Sequence, residues 1–166
     1  IVDSWPSVGG IDFNGVTLNY GPDLSNALIG VSFCVKPSEK IGIIGRTGSG
    51  KSSLFQALFR AVDLTMGNIC IDGVDISKVD LKRLRSFLTL IPQSPFLFSA
   101  TLRDNLDVEE NYSDEEILRA VHNCCLNNLC NRLGGLYGLI GERGSGLSVG
   151  ERQLVCLARA FLRRNT

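Results

Sequence analysis

The sequence predicts an α/β fold: an antiparallel β patch, then a strand, a glycine-rich loop and a helix, then a helical second half. Three observations carry this. Ile11 and Phe13, then Val16 and Leu18, then Ile29, Val31, Phe33 and Val35 alternate with polar or smaller residues, the period-two pattern of half-buried strands. The octapeptide Gly45-Arg46-Thr47-Gly48-Ser49-Gly50-Lys51-Ser52 fits G-x-x-x-x-G-K-[ST] at each fixed position. From about Asp107 onward the apolar residues recur at helical spacing.

Taken in order, residues 1–10 carry Trp5-Pro6 and Gly9-Gly10 and read as a linker entering the domain. Asn14-Gly15 is a hairpin-type turn signal between the first two apolar runs. Tyr20 follows, and Gly21-Pro22-Asp23 breaks the chain. Pro37-Ser38-Glu39 turns into Lys40-Ile41-Gly42-Ile43-Ile44, a short apolar run of the kind that forms a buried parallel strand. After the loop, Leu54, Leu58 and Ala61, with Phe55, Phe59 and Val62 beside them, predict a helix. Residues 67–73 predict a strand ending in an Asp72-Gly73 turn; because Gly73 follows at once, Asp72 reads as a turn residue rather than a metal-orienting carboxylate.

Asp80 opens a short helix bearing Leu81 and Leu84. Phe87 through Ile91 predicts a second core strand, ending at Pro92-Gln93-Ser94-Pro95, where open α/β sheets place ligand loops. Ser113-Asp114-Glu115-Glu116 has capping-box spacing and starts a helix whose stripe is Ile117, Val121, Cys124 and Cys125, fading by Gly134-Gly135. The only histidine, His122, lies within it without a neighbouring acid or nucleophile and reads as a helix-surface residue. A last helix opens at Ser148 and carries Leu154, Leu157, Phe161 and Leu162 on or near one face, with Arg159, Arg163 and Arg164 toward its C-terminal end.

Two stretches carry chemistry. In the octapeptide, glycines let the backbone wrap closely, so that N–H groups at a helix start point at a phosphate. Lys51 would bring a point charge to β/γ-phosphates, and Ser52 a hydroxyl to Mg²⁺. The second is Leu147-Ser148-Val149-Gly150-Glu151-Arg152-Gln153. Locally it is a helix start, with Ser148 as N-cap and Glu151 completing a capping box. A glycine-flanked helix N-terminus with a serine hydroxyl is also a ready anion site.

Bulk properties exclude several classes. Lys plus Arg and Asp plus Glu number 17 each, so no basic face for nucleic acid is indicated. No apolar run approaches the roughly 20 residues of a membrane span, and no signal-peptide pattern opens the chain. The six cysteines, Cys34, Cys70, Cys124, Cys125, Cys130 and Cys156, lack zinc-type spacing and read as thiols used as small apolar residues in a reducing compartment.

Two anion sites with a Pro-Gln-Ser-Pro loop between them resemble the nucleotide-binding domain of ATP-binding-cassette (ABC) transporters. Residues 147–153 resemble the family signature, commonly L-S-G-G-Q, departing from it at Val149 and Glu151. Trp5-Pro6 with Gly10-Ile11-Asp12-Phe13, Gly45-Arg46-Thr47-Gly48, Ile91-Pro92-Gln93-Ser94-Pro95, and Leu154 to Ala160 resemble the second nucleotide-binding domain of subfamily C, the multidrug-resistance-associated proteins.

The resemblance implies a RecA-like P-loop core with an N-terminal antiparallel β-subdomain and an inserted helical subdomain, incomplete at the C-terminus. It places a linker at 1–10, the β-subdomain and phosphate-loop core at 11–93, the Q-loop and helical subdomain at 94–150, and the signature with its helix at 147–166. It further implies Mg-ATP held by Gly45, Arg46, Thr47, Gly48, Ser49, Gly50, Lys51, Ser52 and Ser53, with Tyr20 stacked on adenine and Gln93 sensing the γ-phosphate through Mg²⁺ or water. Ser148 and Gly150 would serve the nucleotide of a second, head-to-tail domain. Transmembrane domains would be the other partner, placing the domain at the cytosolic face of a membrane. The family's Walker B aspartate, catalytic glutamate and switch histidine are expected past Thr166, so the 166 residues alone are expected to be marginally stable and catalytically incompetent. The activity implied is ATP-driven export of organic anions or conjugates. Nucleotide sensing in a subfamily C channel or receptor, and a soluble ABC ATPase, are the alternatives.

Overall fold

The structure, a computed structural model, describes residues 4–163. The chain divides between Leu88 and Thr89 into two compact units, each with its own apolar cluster.

The first unit is built on a four-stranded antiparallel sheet in the order β2-β1-β3-β4, from β1 (Ile11–Leu18), β2 (Leu28–Val35), β3 (Leu64–Ile71) and β4 (Val74–Asp75). β1 is one continuous strand, so Asn14-Gly15 is not the hairpin its dipeptide suggests. With β2 on one side and β3 on the other, the ladder continues through the dipeptide as a bulge, with Gly15 at φ 57° and register shifts on both flanks. Gly67 of β3 faces this bulge, where a Cβ would strike the carbonyl oxygens of Asn14 and Gly15.

β2 also breaks strict alternation. Gly30, at φ 58°, shifts its phase by one residue, so that Leu28 and Val31 both join the apolar cluster while Ile29 is 75% exposed. Phe33 stacks on Phe13 at 4.4 Å. β3 ends in the expected tight turn, with Asp72 and Gly73 both at positive φ. Residues 4–10 are more than a linker: Trp5 is buried, its Nε1 donates to the Ile71 carbonyl at 2.8 Å, and its ring meets Phe87 edge-on. The Asp72 carboxylate accepts the N–H groups of Ser7, Val8, Gly9 and Gly10.

Helix α1 (Lys51–Leu58) packs on this cluster through Ala57, Leu54 and Leu58, and α2 (Leu81–Phe87) through Leu84. Asp80 caps α2 by accepting from Arg83 N. α1 is shorter than the apolar spacing predicts, since Arg60 at φ 48° ends it before Ala61. Neither predicted core strand forms. Ile41, Ile43 and Ile44 are 46%, 41% and 99% exposed in an unpaired segment, and Phe87 closes α2 with Leu88 to Ile91 irregular beyond it. A parallel strand exists only through neighbours that take its N–H and C=O groups, and no described strand runs beside either segment.

The second unit surrounds α6 (Val149–Leu162) with α3 (Leu102–Leu106), α4 (Asp114–Asn123), α5 (Asn127–Leu133) and the two-residue strands β5 (Ala100–Thr101) and β6 (Leu139–Ile140). Capping boxes start α3 at Thr101, α4 at Ser113 and α6 at Ser148. The long helix expected after Ser113 is two, because Cys125 adopts φ 57° and turns the chain; this puts Cys125 at the surface while Ile117, Val121 and Cys124 are buried. The buried face of α6 is Val155, Ala158 and Leu162 with Cys156, rather than the stripe through Leu157 and Phe161, which are half exposed. No helix among the described residues is long and apolar enough to cross a membrane.

Candidate nucleotide-binding site

The glycine-rich loop closes on itself before α1 begins. Ser49 N donates to the Arg46 carbonyl at 3.1 Å, and the Gly50 carbonyl accepts from Ser53 N and Leu54 N. Gly50 is required twice over: its φ is +90°, and a Cβ would lie 2.6 Å from the Ala27 carbonyl oxygen. No acidic residue stands in the first turn of α1, so nothing competes for the positive end of its dipole. Lys51 curls back over the loop, its Nζ donating to the carbonyls of Gly45 at 2.7 Å and Arg46 at 2.8 Å. An ammonium held only by exposed carbonyls can exchange them for phosphate oxygens. Ser52 is exposed, whereas Ser53 is buried and meets Tyr20, whose Oη lies 2.9 Å from Ser53 Oγ. The aromatic residue singled out in the sequence is thus tied to the loop's helix.

Gln93 and the Ser148 helix start belong to the other unit, and α6 holds both. Gln153 Nε2 donates to the Gln93 carbonyl at 2.7 Å. Two turns on, Arg159 collects the carbonyls of Phe96 and Asn105 and the Asn105 side-chain oxygen. Arg159 therefore braces the loop after Pro95 rather than serving as a free cation at the helix end; burial pulls its pKa below the ordinary arginine value. Arg163 is exposed and Arg164 lies outside the described residues. Asn105, fully buried, bonds in turn to Phe98 N, Phe98 O and Thr101 O. Neither Asn105 nor Arg159 was marked as a site residue by the sequence. An Arg on the buried side of an amphipathic helix was the available signal.

At the start of α6, Ser148 Oγ accepts from Glu151 N at 3.1 Å and Glu151 Oε2 accepts from Ser148 N at 2.8 Å. Ser148, Val149 and Gly150 are all exposed. Arg132 of α5 lies 3.0 Å from both Glu151 oxygens and 3.3 Å from the Gly146 carbonyl. The Arg132 hydrogen bond, with that from Ser148 N, holds the Glu151 carboxyl below its usual range. His122 is exposed on α4 beside Asn127 Nδ2, as a helix-surface residue should be. Among the described residues all six cysteines are free, and no group of three His, Cys, Asp or Glu side chains could hold a metal ion.

The family model described as ABC transporter matches residues 28–166. The chain is 52% identical over 159 residues to ATP-binding cassette sub-family C member 10 of Mus musculus, covering 96% of this chain and 11% of that protein. It is 49% identical over 162 residues to sub-family C member 2 of Homo sapiens, covering 97% of this chain and 10% of the relative. Against a pleiotropic ABC efflux transporter of multiple drugs from Candida glabrata, identity is 42% over 176 residues, covering 96% of this chain and 11% of that one. The chain thus spans about a tenth of the length of these relatives. A solved bacterial Atm1-family ABC exporter with ATP bound superposes with a TM-score of 0.87 at 34% identity, over 94% of this chain and 28% of the exporter.

Proposed function

The chain belongs to the ABC transporter family, and from that premise we propose that it is an ATP-binding half-site in a subfamily C exporter of organic anions or conjugates, its second nucleotide-binding domain. The observation that carries this is the loop itself: an acid-free helix start, Lys51 poised over two loop carbonyls, and Tyr20 tethered to Ser53. Gly45 to Ser53 would cradle the triphosphate, and the Tyr20 ring would lie under the adenine. Ser52 would offer a hydroxyl to Mg²⁺ beside phosphate oxygens, and Gln93 an amide oxygen; the ion would neutralise charge on the triphosphate.

Ser148 and Gly150 would face the nucleotide of a second, head-to-tail domain, since a triphosphate needs donors on more than one side and a capped helix start provides them. The transmembrane domains are the remaining partner, which puts this chain at the cytosolic face of a membrane. By itself the chain would bind ATP without turning it over. Of the acids near its anion sites, Glu151 is already engaged by Ser148 and Arg132 and lacks the freedom of a general base.

The test is ATP binding by the isolated domain and turnover by the full-length protein. Lys51→Ala is expected to weaken binding by at least about tenfold, the loss of a charge-assisted contact to phosphate. Ser148→Ala is expected to spare binding and to lower turnover. If Ser148→Ala abolished ATP binding by the isolated domain, the shared-site reading would fail.

A further inference from the structure

Glu151 stands where the family signature commonly has glutamine, and it is a poor neighbour for an anion. A carboxylate at the third position of a helix suits the helix, because it complements the positive end of the dipole. It also sets a negative charge beside whatever that helix end is to bind. In this chain the charge is answered. Arg132, from α5, reaches both carboxylate oxygens at 3.0 Å while its guanidinium also donates to the Gly146 carbonyl at 3.3 Å, just ahead of the signature. The same carboxylate accepts from Ser148 N. One guanidinium thus fixes the acid that fixes the serine.

We propose that Arg132 is a positioning residue for the anion-binding end of α6: through Glu151 it sets the Ser148 cap and cancels the charge that would otherwise repel an incoming phosphate. This rests on the reading that Ser148 faces a nucleotide. Glutamine at position 151 would offer an oxygen to Ser148 N and carry no charge, so it would make no comparable demand on Arg132. The pair therefore acts as a unit, and the need for arginine at 132 depends on the acid at 151.

The measurement is kcat/KM for ATP in the full-length protein for Arg132→Ala, Glu151→Gln, the double variant and Ser148→Ala. Arg132→Ala is expected to lower kcat/KM by about tenfold, the scale of losing one charge-assisted hydrogen bond. In the Glu151→Gln background the same substitution is expected to cost less than about twofold, the mark of coupled neighbours. Equal losses in the two backgrounds, or no loss in the first, would overturn the proposal and leave Arg132 a structural residue. Should Arg132→Ala fail to fold, Arg132→Lys and Arg132→Gln decide: lysine is expected to keep most of the rate and glutamine to lose it. An unaltered rate in Ser148→Ala would sink the underlying nucleotide reading instead.

Discussion

Tyr20 Oη lies 2.9 Å from Ser53 Oγ, so the residue before the Gly-Pro break is bonded to the third residue of the phosphate-loop helix, 33 positions away. The tether orders a side chain that is otherwise half exposed. It ties the ring to the loop's helix; if the ring lies under the adenine as proposed, that would lower the ordering cost of binding. Tyr20→Phe keeps the ring and removes only the tether. ATP affinity of the isolated domain is expected to drop by roughly three- to tenfold, the scale of one hydrogen bond, and Tyr20→Ala should cost more. Calorimetric titration would show it; an unchanged Kd for Tyr20→Phe would mean the tether does not organise the site.

Asp72 gives a pH prediction. Partial burial alone would raise its pKa, but the N–H groups of Val8, Gly9, Ser7 and Gly10 outweigh that and hold it at about 2, against an ordinary 3.8. A depressed folded pKa contributes stability that is full above the unfolded value and disappears as pH falls through the folded one. The contribution should therefore be complete above about pH 4 and fade toward pH 2. Allowing for solvent screening, Asp72→Asn is expected to cost on the order of 1 kcal/mol at neutral pH. Thermal melting of the two proteins should show a gap in Tm at pH 7 that closes as pH approaches 2; a gap independent of pH would mean the carboxylate charge contributes nothing.

Arg159 gives a third. Its fork serves the carbonyls of Phe96 and Asn105 and the Asn105 amide oxygen, a geometry that a lysine ammonium cannot reproduce. Arg159→Lys is expected to destabilise the second unit by about 1–3 kcal/mol, since the oxygens of buried Asn105 lose their donor. Amide exchange at Phe98, whose N–H bonds to Asn105, should quicken while exchange in β1 does not. Equal protection of Phe98 in both proteins would count against the brace.

What the sequence made legible follows from how local each signal is. Capping boxes at Ser113 and Ser148 and the Asp72-Gly73 turn depend on residues three or fewer apart, and each stands where its spacing puts it. The octapeptide is equally local. Signals that need a distant partner misled. Asn14-Gly15 looks like a hairpin until both neighbouring strands are known, and Gly30 shifts Ile29 to the outer face. Ile41 to Ile44 has the composition of a buried strand, but composition does not supply neighbours. Arg132 and Arg159 were invisible as partners because their acceptors lie 14 to 63 residues away.

Trp5 has a practical consequence. It is the only tryptophan in the chain, it is buried, and it sits against the Ile71 carbonyl and the edge of Phe87. Its fluorescence is therefore a native optical reporter for the first unit alone, because the second unit contains no indole. A blue-shifted emission that moves red on denaturation would follow the β-sheet half without a label, while far-ultraviolet dichroism would report both units together, so a transition seen by dichroism and not by Trp5 would belong to the other half.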